Sequence, residues 1–101
     1  MVDLNKAQFE FSLNVALLIL YAYFNGYTVS LGDAWAKKGE GRPHSKNSKH
    51  YDKLAIDINL FEDGKYLTKT EDHLKLGKFW EFIGGTWGGH FNDGNHYEWK
   101  I

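Results

Sequence analysis

The chain contains no cysteine, one proline (Pro43), one arginine (Arg42) and no excess of either charge, its net −1 arising from 12 basic and 13 acidic residues. Without cysteine there are no disulfide staples, no thiolate zinc sites and no cysteine nucleophile, so histidine and carboxylate are the only strong metal ligands left. The near-neutral balance argues against a general nucleic-acid binder, which carries a marked basic excess. There are also no internal repeats, low-complexity tracts or linkers. The one long apolar run, Leu13 to Phe24, is too short to span a bilayer as a helix. Asp3 and Glu10 precede it together with Lys6, so a cationic leader region is missing, and no small-x-small cleavage pattern follows. The run therefore reads as a buried helix with no stable membrane insertion, a membrane-engaging N-terminus being the alternative.

What is present is a well-stocked core. Of 101 residues, 43% are apolar and 17% aromatic, which suits one packed domain spanning 1–101. A chain of this size buries roughly 60–70% of its unfolded surface, enough to fold alone. Asp3 is placed to cap a first helix running to about Asn25, with Gly26 as its stop. From Val15 to Phe24 that helix is apolar all round and is expected to be enclosed by other elements. Tyr27–Leu31 alternates as a strand, and Gly32–Lys49 is a long polar loop, read as the wall of a cleft. Leu54, Ile56, Ile58 and Leu60 alternate with Ala55, Asp57 and Asn59, the period of a strand with one buried face. Glu62-Asp63-Gly64-Lys65 is a turn signature, after which Tyr66 and Leu67 can pair back as a hairpin. Thr70, Glu71 and Asp72 open a second helix whose buried stripe is Leu76, Phe79, Trp80 and Ile83, ended by Gly84-Gly85. Thr86–Gly89 reads as a flexible approach to a last short strand beginning at His96. The order of elements predicts an α+β domain, a small antiparallel sheet with helices packed on it.

Two stretches carry the chemistry. Asp57 projects from the polar face of its strand, His50 lies seven residues earlier, and His96 starts the alternating run His96-Tyr97-Glu98-Trp99. Two imidazoles and one carboxylate from two strands and a loop suit a zinc ion that keeps a fourth position for water. Asp93, three residues before His96, is the candidate general base, although Asp-Gly is also an ordinary turn pair. His73 reads as a surface or satisfied core histidine, His44 as solvated, and His90 as a cleft or surface residue. Trp35 and Trp87 suit core and cleft equally.

With both stretches in view, the sequence resembles the small zinc peptidases of peptidoglycan, which include D-alanyl-D-alanine carboxypeptidases and phage L-alanyl-D-glutamate endopeptidases and share a fold with the hedgehog signalling domain. The carrying motifs are Ser48-Lys49-His50, Ala55-Ile56-Asp57 and Asp93-Gly94-Asn95-His96. The likeness extends to Leu-Gly-Asp-Ala-Trp (31–35), Leu-Ala-Ile-Asp-Ile-Asn-Leu-Phe (54–61), Leu-Gly-Lys-Phe-Trp (76–80) and Gly-Gly-Thr-Trp-Gly-Gly (84–89), and its look is that of phage endolysins. The resemblance implies zinc on His50, Asp57 and His96, Asp93 as general base and Ser48 beside substrate. Many relatives carry an arginine where this chain has Ala36, so Arg42 is the candidate to hold substrate in its place. The implied reaction is zinc-dependent hydrolysis of a stem-peptide bond, L-alanyl–D-glutamate by likeness to phage members. A D-alanyl-D-alanine carboxypeptidase and a catalytically silent zinc module that binds cell-wall or protein ligands are the alternatives. The expected partner is bacterial peptidoglycan, met by a monomer made in the host cytoplasm that reaches the periplasm through a membrane lesion.

Overall fold

The computed structural model describes residues 4–34 and 54–100. Helix α1 (Leu4–Phe24) leads into strand β1 (Thr28–Leu31). Strands β2 (Ala55–Glu62) and β3 (Lys65–Leu67) follow as a hairpin. A 3₁₀ turn (Thr70–His73) then opens α2 (Leu74–Phe82). Strand β4 (Thr86–Trp87), a second 3₁₀ turn (Gly88–Phe91) and β5 (His96–Glu98) complete the order. The predicted α+β class holds: the described residues form two α-helices and a five-stranded, wholly antiparallel sheet.

Strand β2 is the spine. Its C-terminal half pairs with β1, Leu31 opposite Ile58 and Thr28 opposite Phe61, and with β3, Leu60 opposite Leu67. Its N-terminal half pairs with β5, placing Asp57 opposite His96 and Ala55 opposite Glu98, and β5 in turn pairs with β4. The predicted hairpin is present, and Asp63 and Gly64 both take positive φ (52° and 78°), the requirement of a two-residue turn matched to strand twist. At the end of α1, Tyr27 N–H reaches Ala22 O and Gly26 N–H reaches Tyr23 O, with Gly26 at φ 89°. This is the Schellman pattern that the glycine predicts.

The core lies between the sheet and the helices. Leu54, Ile56, Ile58 and Leu60 are all buried, as their alternation requires. Trp80 of α2 is the hub: its ring meets Phe11, Tyr97 and Trp99 edge-on at centroid distances of 6.1, 6.0 and 5.6 Å. Such contacts add to area burial because the positive edge of one ring meets the negative face of another. The indole N–H donates to Glu98 O at 2.9 Å, so the core residue that organises α2 also pins the backbone of β5.

Three expectations are corrected. Helix α1 is docked by one side only. Leu18 and Ala22 are fully buried and Tyr21 stacks on Phe79 at 4.2 Å, while Phe9, Leu13, Leu17, Leu20, Tyr23 and Phe24 are exposed. The described elements that pack on it are chiefly α2 and β1, which leave its outer side uncovered. By length and composition α1 is apolar enough to cross a membrane, and 22% of its most apolar window is buried. Thr86–Gly89 is not a loose tether either. Trp87 is buried in β4, and its indole N–H donates to Gly94 O at 2.7 Å. Finally, the α2 stripe is fully buried only at Leu76 and Trp80; Phe79 and Ile83 are half-buried at its rim.

Candidate functional site

Antiparallel pairing of β2 with β5 decides which side chains meet. Because side chains alternate, Asp57 and His96, directly opposite each other, project from the same face of the sheet. His96 Nδ1 lies 3.3 Å from Asp57 Oδ1. Glu98, two residues on and therefore on that same face, places Oε1 2.9 Å from His96 Nε2. Between them Tyr97 points the other way, fully buried in the core.

The backbone holds Asp57 in place. Its N–H donates to Asp33 O at 2.8 Å, and its carbonyl accepts from Gly32 N–H at 2.7 Å. The chain after β1 thus runs tight against it. A Cβ at Gly32 would stand 3.1 Å from Asp57 Cβ, so glycine there permits the close approach. From the other edge, Ile58 N–H donates to Asn95 O at 2.8 Å, tying β2 to the segment that delivers His96. The polar-face aspartate is consequently not a solvated one: only 7% of Asp57 is exposed.

Electrostatics follow from this geometry. Burial alone lowers the His96 pKa, but the hydrogen bonds and charges of Asp57 and Glu98 outweigh it and raise it from 6.5 to about 9. The two carboxylates that face the imidazole thus favour its protonated form in the absence of a metal, and a metal bound through His96 would displace that proton.

Asp93 sits on the turn before β5. Its carbonyl accepts from His96 N–H at 3.1 Å and its own N–H donates to Gly88 O at 3.0 Å. Its side chain is exposed and borders a polar recess of about 170 Å³ lined also by Lys69, Thr70, His73 and Asn95. Asn92, at φ 59°, and the buried Gly94 shape the turn. His90 is a surface residue paired with Glu81 at 2.8 Å. His73 is buried, its Nδ1 2.8 Å from the Tyr97 hydroxyl. Burial holds its pKa below 6.5, with the charge of Asp72 opposing.

Asp57 and His96 are thus brought together as expected. His50, Ser48, Arg42, His44, Trp35 and Asp3 lie outside the described residues. Among the described residues no three or more His, Asp or Glu side chains converge to hold a metal ion. Glu98 does not complete such a set, because it binds the imidazole edge opposite to Asp57. The partnership of Glu98 with His96 is what sequence reasoning missed. The signal was available, since residues i and i+2 of a strand share a face.

A sheet that offers a buried carboxylate and an imidazole from adjacent strands, with a second carboxylate on the turn before them, has the donor types of a hydrolytic metal centre. The chain belongs to the D-alanyl-D-alanine carboxypeptidase family: the sequence model of that family matches residues 41–99, a span holding Arg42, Ser48, His50, Asp57, Asp93 and His96. No curated protein matches the chain. Membership makes this a peptidase-family domain directed at peptidoglycan peptides, and the family is typically zinc-dependent. Two of the donors present suit that ion: Asp57 and His96 supply an oxygen and a nitrogen on one side of the sheet, the imidazole nitrogen becoming a ligand on loss of its proton.

Proposed function

We propose that the chain is a zinc-dependent peptidoglycan endopeptidase of the phage endolysin kind, cutting the L-alanyl–D-glutamate bond of stem peptides. The observation that carries this reading is the pairing of Asp57 and His96 across β2 and β5, with Asp93 on the turn that leads into His96. Zinc sites of this type take three protein ligands and leave one position open. Asp57 and His96 are two of them, and His50, inside the family-matched span, is the third.

When bound, zinc polarises the scissile carbonyl and acidifies the attacking water, whose pKa falls toward ~7. Asp93, exposed on the turn that leads into His96, accepts the proton of that water and passes it to the departing amine. Asp57 and His96 stay fixed by the sheet throughout. Ser48 and Arg42 contact substrate, Arg42 standing in for the arginine that relatives carry at the position of Ala36.

Digestion of purified peptidoglycan with and without chelator, followed by mass spectrometry of the fragments, tests the reading. The expected result is chelator-sensitive release of fragments with a new D-glutamate amino terminus. Release of free D-alanine instead would make the chain a carboxypeptidase, the activity that the family description names. A protein that binds zinc stoichiometrically yet cleaves nothing would be a binding module.

A further inference from the structure

We infer that Glu98 is a positioning residue for the metal centre: it fixes the orientation and tautomer of the His96 imidazole so that Nδ1 is presented beside Asp57. This inference rests on the zinc reading above and concerns a residue that reading leaves idle. An imidazole ligates through one nitrogen and carries its proton on the other. In His96 the two nitrogens face different partners, Nδ1 toward Asp57 Oδ1 at 3.3 Å and Nε2 toward Glu98 Oε1 at 2.9 Å. Asp57 is itself a proposed ligand, so Nδ1 is the nitrogen on the metal side. Nε2 then keeps the proton and donates it to Glu98. A carboxylate behind a ligating histidine holds the ring and raises the basicity of the ligating nitrogen.

The fold places Glu98 for this task. It lies on the same face of β5 as His96, and the strand is held on both sides, Glu98 being opposite Ala55 of β2 and Thr86 of β4. Its carbonyl accepts the Trp80 indole N–H at 2.9 Å, so its backbone is tied to the centre of the core. Side-chain exposure falls from 31% at Glu98 to 16% at His96 and 9% at Asp57, so the three run from the rim inward.

The test measures zinc affinity by competition with a chromogenic chelator for wild type, Glu98→Ala and Glu98→Gln, and records imidazole N–H resonances of the zinc-loaded proteins by NMR. Loss of such a partner typically weakens metal binding ~10–100-fold. Glu98→Ala is expected to show that loss together with disappearance of the hydrogen-bonded Nε2–H signal of His96. Glu98→Gln, whose amide oxygen still accepts the proton, is expected to recover part of both. Metal-free melting temperatures within a few degrees of wild type establish that the variants fold. If wild type binds zinc and Glu98→Ala binds it equally well, the positioning role is overturned and the zinc reading stands. If wild type binds no zinc, the zinc reading falls and takes the positioning role with it.

Discussion

Gly88→Ala is the perturbation that most directly tests how the turn carrying Asp93 is held. Gly88 is buried at the start of the second 3₁₀ turn, and its carbonyl accepts the Asp93 N–H at 3.0 Å. A Cβ added there would press into the Asp93 carbonyl oxygen and stand 2.9 Å from His96 Cβ and 3.2 Å from His96 O. None of these atoms is the tip of a flexible side chain, so relief must come from backbone movement, either of the turn or of residues 93–96. Overpacking of this kind costs about 1–3 kcal/mol. For a domain near 100 residues each 1 kcal/mol lowers Tm by about 4–8 °C, so the variant should melt roughly 4–24 °C lower yet still fold at 25 °C. Restoring ordinary contact takes on the order of 1 Å of displacement, and a misplacement of that size at a catalytic group costs ~10²-fold in rate. The assay is kcat/KM on purified peptidoglycan at 25 °C beside thermal melts of the same preparation. Phe91→Ala is the control, because that exposed side chain lies on the same turn and its loss should stay within about ±0.5 kcal/mol. Wild-type rate and Tm in Gly88→Ala would refute the reasoning, since packing of the turn against 93–96 would then not be what places Asp93 and His96.

Other outcomes follow from the same structure. Asp93→Asn should keep the turn, the zinc and the melting temperature while losing ~10²–10⁴-fold in hydrolysis rate, and a variant within a few-fold of wild type would remove Asp93 from catalysis. Leu18→Ala, at a fully buried position, should cost about 2–5 kcal/mol in denaturant melts, whereas Leu13→Gln on the exposed side of α1 should stay within about ±0.5 kcal/mol; equal losses would mean that the docked face is misassigned. Burial holds His73 below its ordinary 6.5 in the folded protein, so the unfolded chain takes up that proton first. The contribution is intact above pH 6.5 and is lost as pH falls from 6.5 toward the folded value. Wild type should therefore lose stability relative to His73→Phe between pH 7 and 5, and parallel stability curves would count against a buried neutral imidazole.

The sheet was legible in the sequence because a two-residue period carries its own phase. The alternation from Leu54 to Leu60 and from His96 to Trp99 states which side chains share a face, and turn chemistry at Asp63-Gly64 sets the hairpin. The outer side of α1 was not legible. An apolar residue at nearly every position from Val15 to Phe24 gives a helix no phase, so nothing in the pattern distinguishes Leu17 and Leu20, exposed, from Leu18, buried. The glycine-rich segment misled for a different reason. Glycines at 84, 85, 88 and 89 suit a loose tether and a tightly packed crossing equally well. What decides between them is tertiary: Trp87 fills the space beside Gly77 and Gly89 and bonds Gly94 O. Of the two readings of His73, surface and satisfied core, the second holds, and the sequence could not choose it because the partner, the Tyr97 hydroxyl, is 24 residues away.

The same period also explains why the histidine and both of its carboxylate partners stand on strands while the proposed base stands on a turn. His96 and Glu98 flank Tyr97, which is fully buried and bonded to His73, and Asp57 is flanked by the buried Ile56 and Ile58. Sliding β5 by one residue would send Tyr97 to the site face and drive an imidazole and a carboxylate into the core. Unpaired charge in such surroundings is strongly disfavoured, so the register that builds the core is also the one that sets Asp57, His96 and Glu98 against one another. Asp93 lies outside that constraint. Its place depends on the Gly88 and His96 backbone contacts and on the Thr70 hydroxyl that accepts the Gly94 N–H at 3.2 Å. In the proposed reaction the metal donors must be fixed and the base must lie beside them: the sheet would fix Asp57 and His96, and the turn, packed on Gly88 and Thr70, would set Asp93.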